Sequence, residues 1–373
     1  MHARCLHDLA SVDVVAVADI RPDVARKMAA ELGVTAYSDY RDMLDQHDLD
    51  LVVVATPDPL HREPTVAALE AGVPNIIQEK PLATTMDDAL AIHQAVEKHG
   101  ARFFIDFPNR ATPMDVATRY AIQHGLLGRV VYGECRVDDN ISVPTRMWGE
   151  RSREWAAGSS TAHFLLSHIV DLFRWYFSPA EVKEIYAIAQ REILGYTPDL
   201  YDAYLTFDSG LKVRVKAEWT KHIDGLVEFF TCLSGAEGSL YYNKLRSFAT
   251  ETGWRANVSK SLTAQQLLAH QDSLLELGVN VGVLLHRPSP TTGALSAGDL
   301  EMAPALEYRG PCAGTPTDLV PVFVDAILEG TMTPQSARHL GPLPDHVDGL
   351  KQVQIVTAIV ESAETGKVVG LGG

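Results

Sequence analysis

Short apolar runs alternate with helical patterns over the first hundred residues. The runs at 12–18 (VDVVAVA) and 51–55 (LVVVA) are rich in β-branched residues, which is typical of strands buried on both faces of a parallel sheet. Further runs lie at 74–77 (PNII) and 102–107 (RFFIDF). Strands that alternate with helices predict an α/β fold, with a doubly wound, Rossmann-type parallel sheet, for residues 1–107, the first of two domains.

The helices between these strands have recognisable ends. Pro22 stands at a first helical position, apolar residues recur every four positions up to Leu32, and Gly33 follows as a stop. Thr85 and Asp88 form a cap for the helix that ends at Gly100. Helical patterns also cover 1–10 and about 60–71.

After residue 108 the pattern changes. Alternating residues at 201–207 and 211–219, separated by the turn 208–210 (DSG), predict a β-hairpin. We therefore expect an α+β domain on a mostly antiparallel sheet at 108–345, and a C-terminal helix and tail at 346–373. The stretch 259–300 is interpreted as an insertion or lid of unassigned role. The other predicted elements are helices at 115–125, 161–177, 263–277, 318–328 and 346–365, and strands at 130–137 and within 226–242.

Composition excludes several classes of function. The 373 residues carry a formal net charge of −16, which opposes nucleic-acid binding because that function uses clustered Lys and Arg. No run of 18 uncharged apolar residues occurs, so no membrane span is predicted. Cys5, Cys135, Cys232 and Cys312 are far apart and form no metal-type pair. Reduced thiols in the cytosol are the simplest explanation, and we expect a cytoplasmic protein without a metal site.

Lys80 follows the apolar run at 74–77 within the segment QEKP. Proline cannot extend a sheet and restricts the residue before it, so Pro81 forces Lys80 out of the strand. Ligands of open parallel sheets bind beyond the carboxyl ends of the strands, where Lys80 would project. A cis peptide before Pro81 is a further hypothesis. The alternative is a solvated lysine at a strand end.

Asp19 closes the strand predicted at 12–18. An acidic residue at the end of the second strand of a mononucleotide fold accepts a hydrogen bond from a ribose hydroxyl; the alternative is an ordinary strand-end acid that begins a turn. The G-x-G-x-x-G fingerprint should lie about 20 residues upstream, and the chain does not contain it. We therefore expect that the first strand and glycine loop are absent, that Met1 is internal to a longer protein, and that this chain alone is unstable.

An ordered set of motifs resembles the glucose–fructose oxidoreductase / inositol dehydrogenase (Gfo/Idh/MocA) family over nearly the whole chain, without the first strand. Glu-Lys-Pro alone is a weak signal, whereas the ordered set is specific. The set comprises Asp19, Thr56-Pro57 with His61, Glu79-Lys80-Pro81, Gly158-Ser159-Ser160, His168, Asp171-Leu172 and Arg174-Trp175, and a closing helix at 347–365.

The resemblance implies a nicotinamide-dependent dehydrogenase that acts on secondary alcohols of sugars, polyols or cyclitols. Lys80 would bind the reacting hydroxyl and stabilise the alkoxide, and His168 would accept or donate its proton. Glu79 would orient Lys80 or the nicotinamide ribose. The expected cofactor-binding residues are Asp19, Arg21, Thr56, Pro57, His61, Glu79, Lys80 and Pro81.

Helical spacing provides a separate reason to group residues around His168. Phe164, His168, Asp171 and Trp175 fall on one face of the helix predicted at 161–177. Phe164 stands where the family often has an aspartate, which indicates an altered pocket or a different activity. A lone helical histidine is more often structural, and we interpret the neighbouring His163 in that way. Candidate substrate-binding residues are Asp171, Phe164, Trp148 and Arg110, with Asn109 beside them, although packing and surface roles are equally open.

The cofactor and the activity have alternatives. Asp19 favours NAD because its charge repels a 2′-phosphate, whereas Arg21 offers a way to admit NADP. A non-catalytic sensor or scaffold is one alternative to a dehydrogenase, and a glycoside-cleaving enzyme that holds NAD tightly is another. The expected partners are a small carbohydrate-like substrate and a second copy of the chain, joined through the open face of the second-domain sheet.

Overall fold

The computed structural model describes residues 1–244, 253–285, 304–309 and 319–372. The chain forms two compact units, Met1–Pro108 with Asp318–Gln354 and Asn109–Thr317 with Ile355–Gly373. The segment 319–345, which the sequence pattern assigned to the second domain, therefore lies in the first unit. Cys312, most of the loop in 259–300 and the start of the helix predicted at 318–328 fall outside the described residues.

The parallel strands of the first unit form two sheets. One pairs β1 (Ala16–Ala18) with β2 (Thr35–Tyr37), and the other has the order β3 (Val52–Val54), β4 (Asn75–Glu79) and β5 (Arg102–Asp106). Within the described residues, β1 and β3 thus each pair along one edge only. The predicted parallel α/β architecture is confirmed.

The prediction of a strand at 12–18 buried on both faces is wrong. Strand β1 contains three residues, and each of them is half-buried or exposed. Val15, just before it, is also exposed. A parallel strand is buried on both faces where helices cover both, and the half-buried and exposed residues of β1 show that it lacks such cover among the described residues.

The predicted helix ends of the first unit are confirmed. Gly33 (φ 71°) and Gly100 (φ 63°) end two helices in the left-handed conformation that glycine favours. The Thr85 hydroxyl accepts a hydrogen bond from the Asp88 N–H at 3.2 Å. Strand β2 and the short helix after it were not predicted, because a strand of three residues and a helix of seven are too short for a repeated apolar pattern to show. The helices of this segment are α1 (His2–His7), α2 (Pro22–Leu32), α3 (Tyr40–Gln46), α4 (Arg62–Glu70) and α5 (Met86–His99).

The second unit is built on one large sheet of ten strands among the described residues. Its order is β13-β14-β12-β11-β10-β6-β9-β8-β7-β15, and all neighbours are antiparallel except β6 and β9. The predicted hairpin corresponds to β8 and β9. The strands are β6 (Val130–Asn140), β7 (Val182–Gln190), β8 (Leu200–Phe207), β9 (Lys212–Lys221), β10 (Val227–Gly235), β11 (Ser239–Lys244), β12 (Arg255–Asn257), β13 (Val281–Leu284), β14 (Ala305–Tyr308) and β15 (Val369–Gly370).

Among the described residues, seven further helices follow α5, five of them in the second unit, one in the first unit and one that contributes residues to both units. None of the helices in the described part of the chain combines the length and apolarity needed to cross a bilayer. The remaining helices are α6 (Pro113–Gln123), α7 (Ser142–Arg146), α8 (Ser152–Gly158), α9 (Ser167–Phe177), α10 (Ala264–Glu276), α11 (Val320–Glu329) and α12 (His346–Thr365).

Two glycines allow close packing. At Gly133 in β6, a Cβ would lie 2.7 Å from a ring carbon of Phe173, so α9 rests directly on the strand there. At Gly349 in α12, a Cβ would lie 2.1 Å from Cδ1 of Ile105. The first half of α12 therefore packs against the end of β5, within the apolar core of the first unit that includes Ile105 and Val353.

Candidate active site

Asp19 lies directly after β1, as predicted. Its Oδ1 accepts the backbone N–H of Arg21 at 2.8 Å, and the Arg21 Nε lies 3.6 Å from the same oxygen. The side chain is about one-third exposed (32%). The carboxylate is therefore fixed in orientation, accessible to a ligand hydroxyl, and close to a cation.

His61 connects the ends of two neighbouring strands. Its Nε2 lies 2.9 Å from the carbonyl oxygen of Thr56, just beyond β3, and its Nδ1 lies 2.7 Å from the carbonyl oxygen of Pro81, just beyond β4. The ring is 1% exposed. Because both nitrogens face protein carbonyls, His61 connects the segments that carry Thr56 and Lys80. The cofactor contact expected of His61 stays a prediction.

Burial lowers the pKa of His61, and the charge of Asp58 together with the two carbonyl hydrogen bonds opposes only part of that shift. The two carbonyl contacts favour a doubly protonated ring, but burial is the larger effect. A neutral imidazole has one N–H and donates to one carbonyl at a time. Gln78, whose amide also donates to the carbonyl of Leu82 at 2.8 Å, completes this buried hydrogen-bonded group.

Lys80 immediately follows β4, and the Lys80–Pro81 peptide is cis. Both sequence predictions for this position are confirmed. The backbone N–H of Lys80 lies 3.2 Å from Oε2 of Glu79. Lys80 is half-buried, whereas Pro81 is buried. The lysine thus stands at the carboxyl end of a parallel strand, where the turn after it is held in place by packing.

His2 is a site residue that the sequence did not reveal. Its Nε2 is 2.7 Å from Oε1 of Glu79, and its Nδ1 is 3.9 Å from Oδ2 of Asp106 at the end of β5. Although burial of Glu79 acts to raise its pKa, the hydrogen bond from His2 and the charges of His2 and Lys80 lower it below its ordinary value. Glu79 is therefore anchored by His2 and stays ionised beside Lys80.

We expect the stability of the first unit to fall as the pH drops below about 6.5, the ordinary pKa of histidine. Burial lowers the folded-state pKa of both His61 and His346, so the folded protein binds these protons less readily than the unfolded chain does. The stabilisation is complete above the unfolded pKa and is lost as the pH falls towards the folded pKa.

Urea unfolding between pH 7.5 and pH 5.5 measures this effect. His346→Asn should flatten the pH dependence, because Asn does not titrate and can still hydrogen-bond to His93, whose Nδ1 lies 2.8 Å from Nδ1 of His346. A pH dependence that is identical in wild type and variant would contradict the assignment.

In the second unit, His168 is the second residue of α9. A π-helical segment, Ala162–Leu166, comes directly before this helix. The extra residue in a π turn changes the regular spacing of side chains, so Phe164 and His168 are not one α-helical turn apart as the sequence analysis assumed. The Nδ1 of His163 lies 2.8 Å from the hydroxyl of Ser160. That contact fits the structural role predicted for His163.

Arg110 and Asp171 bind each other. The guanidinium donates from Nε to Oδ2 at 2.9 Å and from Nη2 to Oδ1 at 2.5 Å. Both residues are buried, with Arg110 4% and Asp171 1% exposed. A two-point ion pair of this kind fixes α9 to the segment before α6. The structure therefore shows Arg110 and Asp171 bound to each other, and the substrate contact expected of them stays a prediction.

A second buried carboxylate, Asp115, also anchors α9. The hydroxyl of Tyr176 donates to its Oδ1 at 2.6 Å, and the hydroxyl of Tyr242 donates to the same oxygen. The hydroxyl of Thr112 donates to Oδ2. Burial raises the pKa of both tyrosines well above the ordinary value. The sequence did not reveal Asp115 as an anchor of α9, because its two tyrosine partners are distant in sequence.

The candidate residues Trp148 and Phe164 belong to an aromatic cluster. Trp148 is 48% exposed. Its ring centroid lies 5.8 Å from that of Trp155, which lies 4.9 Å from Phe164 and 5.3 Å from the fully buried Trp219. The structure thus connects these two candidates through a third ring that the sequence analysis did not single out.

Comparison with known proteins agrees with this arrangement. Residues 1–107 match the oxidoreductase family model for an NAD-binding Rossmann fold, and residues 116–241 match the GFO/IDH/MocA C-terminal domain. The chain belongs to the GFO/IDH/MocA family. The resemblance recognised in its motifs is therefore confirmed.

Several members of this family are similar to the chain. The inositol 2-dehydrogenase of Acidothermus cellulolyticus is 33% identical over 55% of this chain and 57% of its own length. The levoglucosan dehydrogenase of Pseudarthrobacter phenanthrenivorans is 31% identical over 43% of this chain and 41% of its own length. The chain thus spans about half the length of these curated relatives.

A solved structure is similar in fold to nearly the whole of this chain, a greater share than the sequence relatives match. The structure of levoglucosan dehydrogenase in complex with NADH and levoglucosan superimposes with a TM-score of 0.72 at 23% identity. The match covers 96% of this chain and 90% of that one. At this identity it establishes the two-domain fold of the family member described here.

Proposed function

We propose that this protein is an NAD-dependent oxidoreductase that transfers a hydride between nicotinamide and a secondary alcohol of a sugar, polyol or cyclitol. The observation that carries the proposal is the position of Lys80. It directly follows β4 beside the ionised Glu79, within the segment that matches the family's NAD-binding domain. Ligands of open parallel sheets bind at this end of the strands.

Lys80 and His168 are the proposed catalytic residues. The Lys80 ammonium donates a hydrogen bond to the reacting hydroxyl and stabilises the negative charge that develops on its oxygen. The His168 imidazole accepts the hydroxyl proton during oxidation and returns it during reduction. When bound, nicotinamide supplies the acceptor for the hydride. Thr56 and Pro57 line its binding site, and His61 holds their turn against Pro81.

Asp19 supports NAD over NADP. Its partly exposed carboxylate suits a ribose hydroxyl, and it repels a 2′-phosphate. Arg21 does not cancel this preference, because its backbone and side chain both lie against Asp19. We also propose a cytosolic location, because cysteines of cytosolic proteins stay reduced.

We further propose that the open face of the large sheet joins two copies of the chain. Tyr186 and Tyr204 are directly opposite each other on β7 and β8 and are 43% and 50% exposed. Exposed apolar surface of this kind favours association. Sedimentation velocity should detect a dimer or larger oligomer that Tyr204→Asp dissociates, and a monomeric wild type would refute this interface.

The activity is tested by following absorbance at 340 nm while NAD⁺ and the protein are mixed with a panel of sugars, polyols and cyclitols. We expect NADH to form with at least one secondary alcohol, and little NADPH to form in the parallel assay with NADP⁺. Release of a free sugar from a glycoside without net NADH would indicate a glycoside-cleaving enzyme. Folded protein that binds no nicotinamide nucleotide would indicate a non-catalytic relative.

A further inference from the structure

The His2 ring lies between two carboxylates of the first unit. Its Nε2 is 2.7 Å from Oε1 of Glu79, and its Nδ1 is 3.9 Å from Oδ2 of Asp106. These two acids are the last residues of β4 and β5 and stand directly opposite each other in the sheet. The side chains of His2 and Asp106 are 8% and 3% exposed. The two ring nitrogens therefore face different acids, and the imidazole spans the carboxyl ends of two adjacent parallel strands.

Glu79 connects this histidine to Lys80. An ionised carboxylate only accepts hydrogen bonds, so Nε2 of His2 carries the proton of the contact with Oε1. The other oxygen, Oε2, accepts the backbone N–H of Lys80 at 3.2 Å. A carboxylate that is held at one oxygen cannot rotate without breaking that contact, so His2 keeps Oε2 on the N–H with which the segment after β4 begins.

The charges in this group also depend on His2. Burial acts to raise the pKa of Glu79, and the hydrogen bond and charge of His2 are the largest effects that lower it, followed by the charges of Lys80 and His61. If the histidine were lost, the carboxylates of Glu79 and Asp106 would have no cation between them. Two like charges at the ends of adjacent strands favour protonation of one of them. His2 therefore supports both the orientation and the ionised state of Glu79.

We propose that His2 is a positioning residue for hydride transfer, which acts through Glu79 to fix the start of the segment that carries the Lys80 ammonium. This inference rests on the proposed function, since it takes Lys80 as the group that stabilises the developing alkoxide. A misplacement of about 1 Å can cost about 10²-fold in rate. Because the stabilised charge develops in the transition state, the loss should appear in kcat and much less in KM.

Two neutral replacements separate the two contacts of His2. The amide nitrogen of glutamine corresponds to Nε2 of histidine and can still donate to Glu79, whereas the amide nitrogen of asparagine corresponds to Nδ1 and points towards Asp106. His2→Asn should lower kcat about 10- to 100-fold and change KM by less than about twofold. His2→Gln should keep at least about a third of the wild-type kcat, because the contact that orients Glu79 is retained.

Initial rates of NAD⁺ reduction measure these values, with the alcohol that the wild type oxidises fastest among the sugars, polyols and cyclitols. His7→Asn is the matched control, because it makes the same change in the same helix at a side chain that is 47% exposed. Its kcat should equal that of the wild type. Urea unfolding of each variant at pH 7.5 establishes that the protein is folded under the conditions of the assay.

The pH dependence of the loss distinguishes positioning from general damage to the fold. Removing the hydrogen bond and charge of His2 raises the pKa of Glu79, so the carboxylate ionises again as the pH rises. The ratio of the wild-type kcat to the His2→Asn kcat should therefore fall at least about threefold between pH 7 and pH 9. The titration of His168 is common to both proteins and cancels from the ratio. A purely structural loss would give a constant ratio.

Equal kcat values for His2→Asn and His2→Gln, or a ratio that does not change with pH, would overturn the inference. If His2→Asn does not fold, His2→Gln carries the test, because its lost charge should also give a ratio that falls with pH, and a constant ratio would again contradict the inference. A wild type that oxidises no alcohol would refute the proposed function and this inference with it. An active wild type whose rate His2→Asn matches would refute the inference alone.

Discussion

Lys80→Met is expected to lower kcat by about 10²- to 10³-fold, the effect of removing one electrostatic contact to a developing oxyanion. Methionine keeps an unbranched side chain but removes the charge. Because Lys80 lies outside β4 and is half-buried, the substitution should leave the fold intact. NADH affinity is measured alongside kcat, because Lys80 is also one of the expected cofactor-binding residues.

Initial rates of NAD⁺ reduction and NADH titrations of the same preparation measure both quantities. Lys98→Met is the matched control, because it makes the same change at an exposed position in α5. Its rate should equal that of the wild type. A Lys80→Met variant that keeps more than a tenth of the wild-type kcat would exclude Lys80 from the chemical step.

Asp171→Asn is expected to destabilise the protein by about 3–5 kcal/mol, because it leaves the buried Arg110 charge without its carboxylate. Arg110 is 4% exposed, so water cannot replace the lost partner. The free energy of unfolding, measured with urea, tests this expectation. Replacing both residues together with leucine should recover much of the loss, since the unpaired charge is then removed.

Asp202→Asn is the comparison for that experiment. It removes the carboxylate from the Arg214–Asp202 pair on the sheet, whose side chains are 34% and 15% exposed. Solvent screens this pair, and we expect a cost of no more than about 1 kcal/mol. If Asp171→Asn were as stable as Asp202→Asn but raised KM for substrate, Asp171 would bind substrate as the sequence motif implied.

The sequence predicted features that depend on neighbouring residues. Gly33 and Gly100 ended helices because left-handed backbone at a helix end favours glycine. The turn at 208–210 joined β8 and β9 for a similar local reason. Lys80 left the strand because of the proline that follows it. Each of these features is encoded within a few residues.

The sequence did not predict contacts that form only in the folded chain. Arg110 and Asp171 are 61 residues apart, and His2 and Glu79 are 77 apart. The exposure of β1 depends on which elements pack against its two faces, which its own residues do not reveal. The π-helical segment before α9 likewise changed the spacing between Phe164 and His168, and a regular helical pattern cannot show that change.

The most direct test of the account is a fluorescence titration of the protein with NADH and NADPH, repeated with Asp19→Ala. We predict tighter binding of NADH than of NADPH, and loss of this preference in Asp19→Ala because the ribose hydroxyl loses its acceptor. Folded protein that binds neither nucleotide, or that prefers NADPH, would contradict the central claim that this family member is an NAD-dependent oxidoreductase.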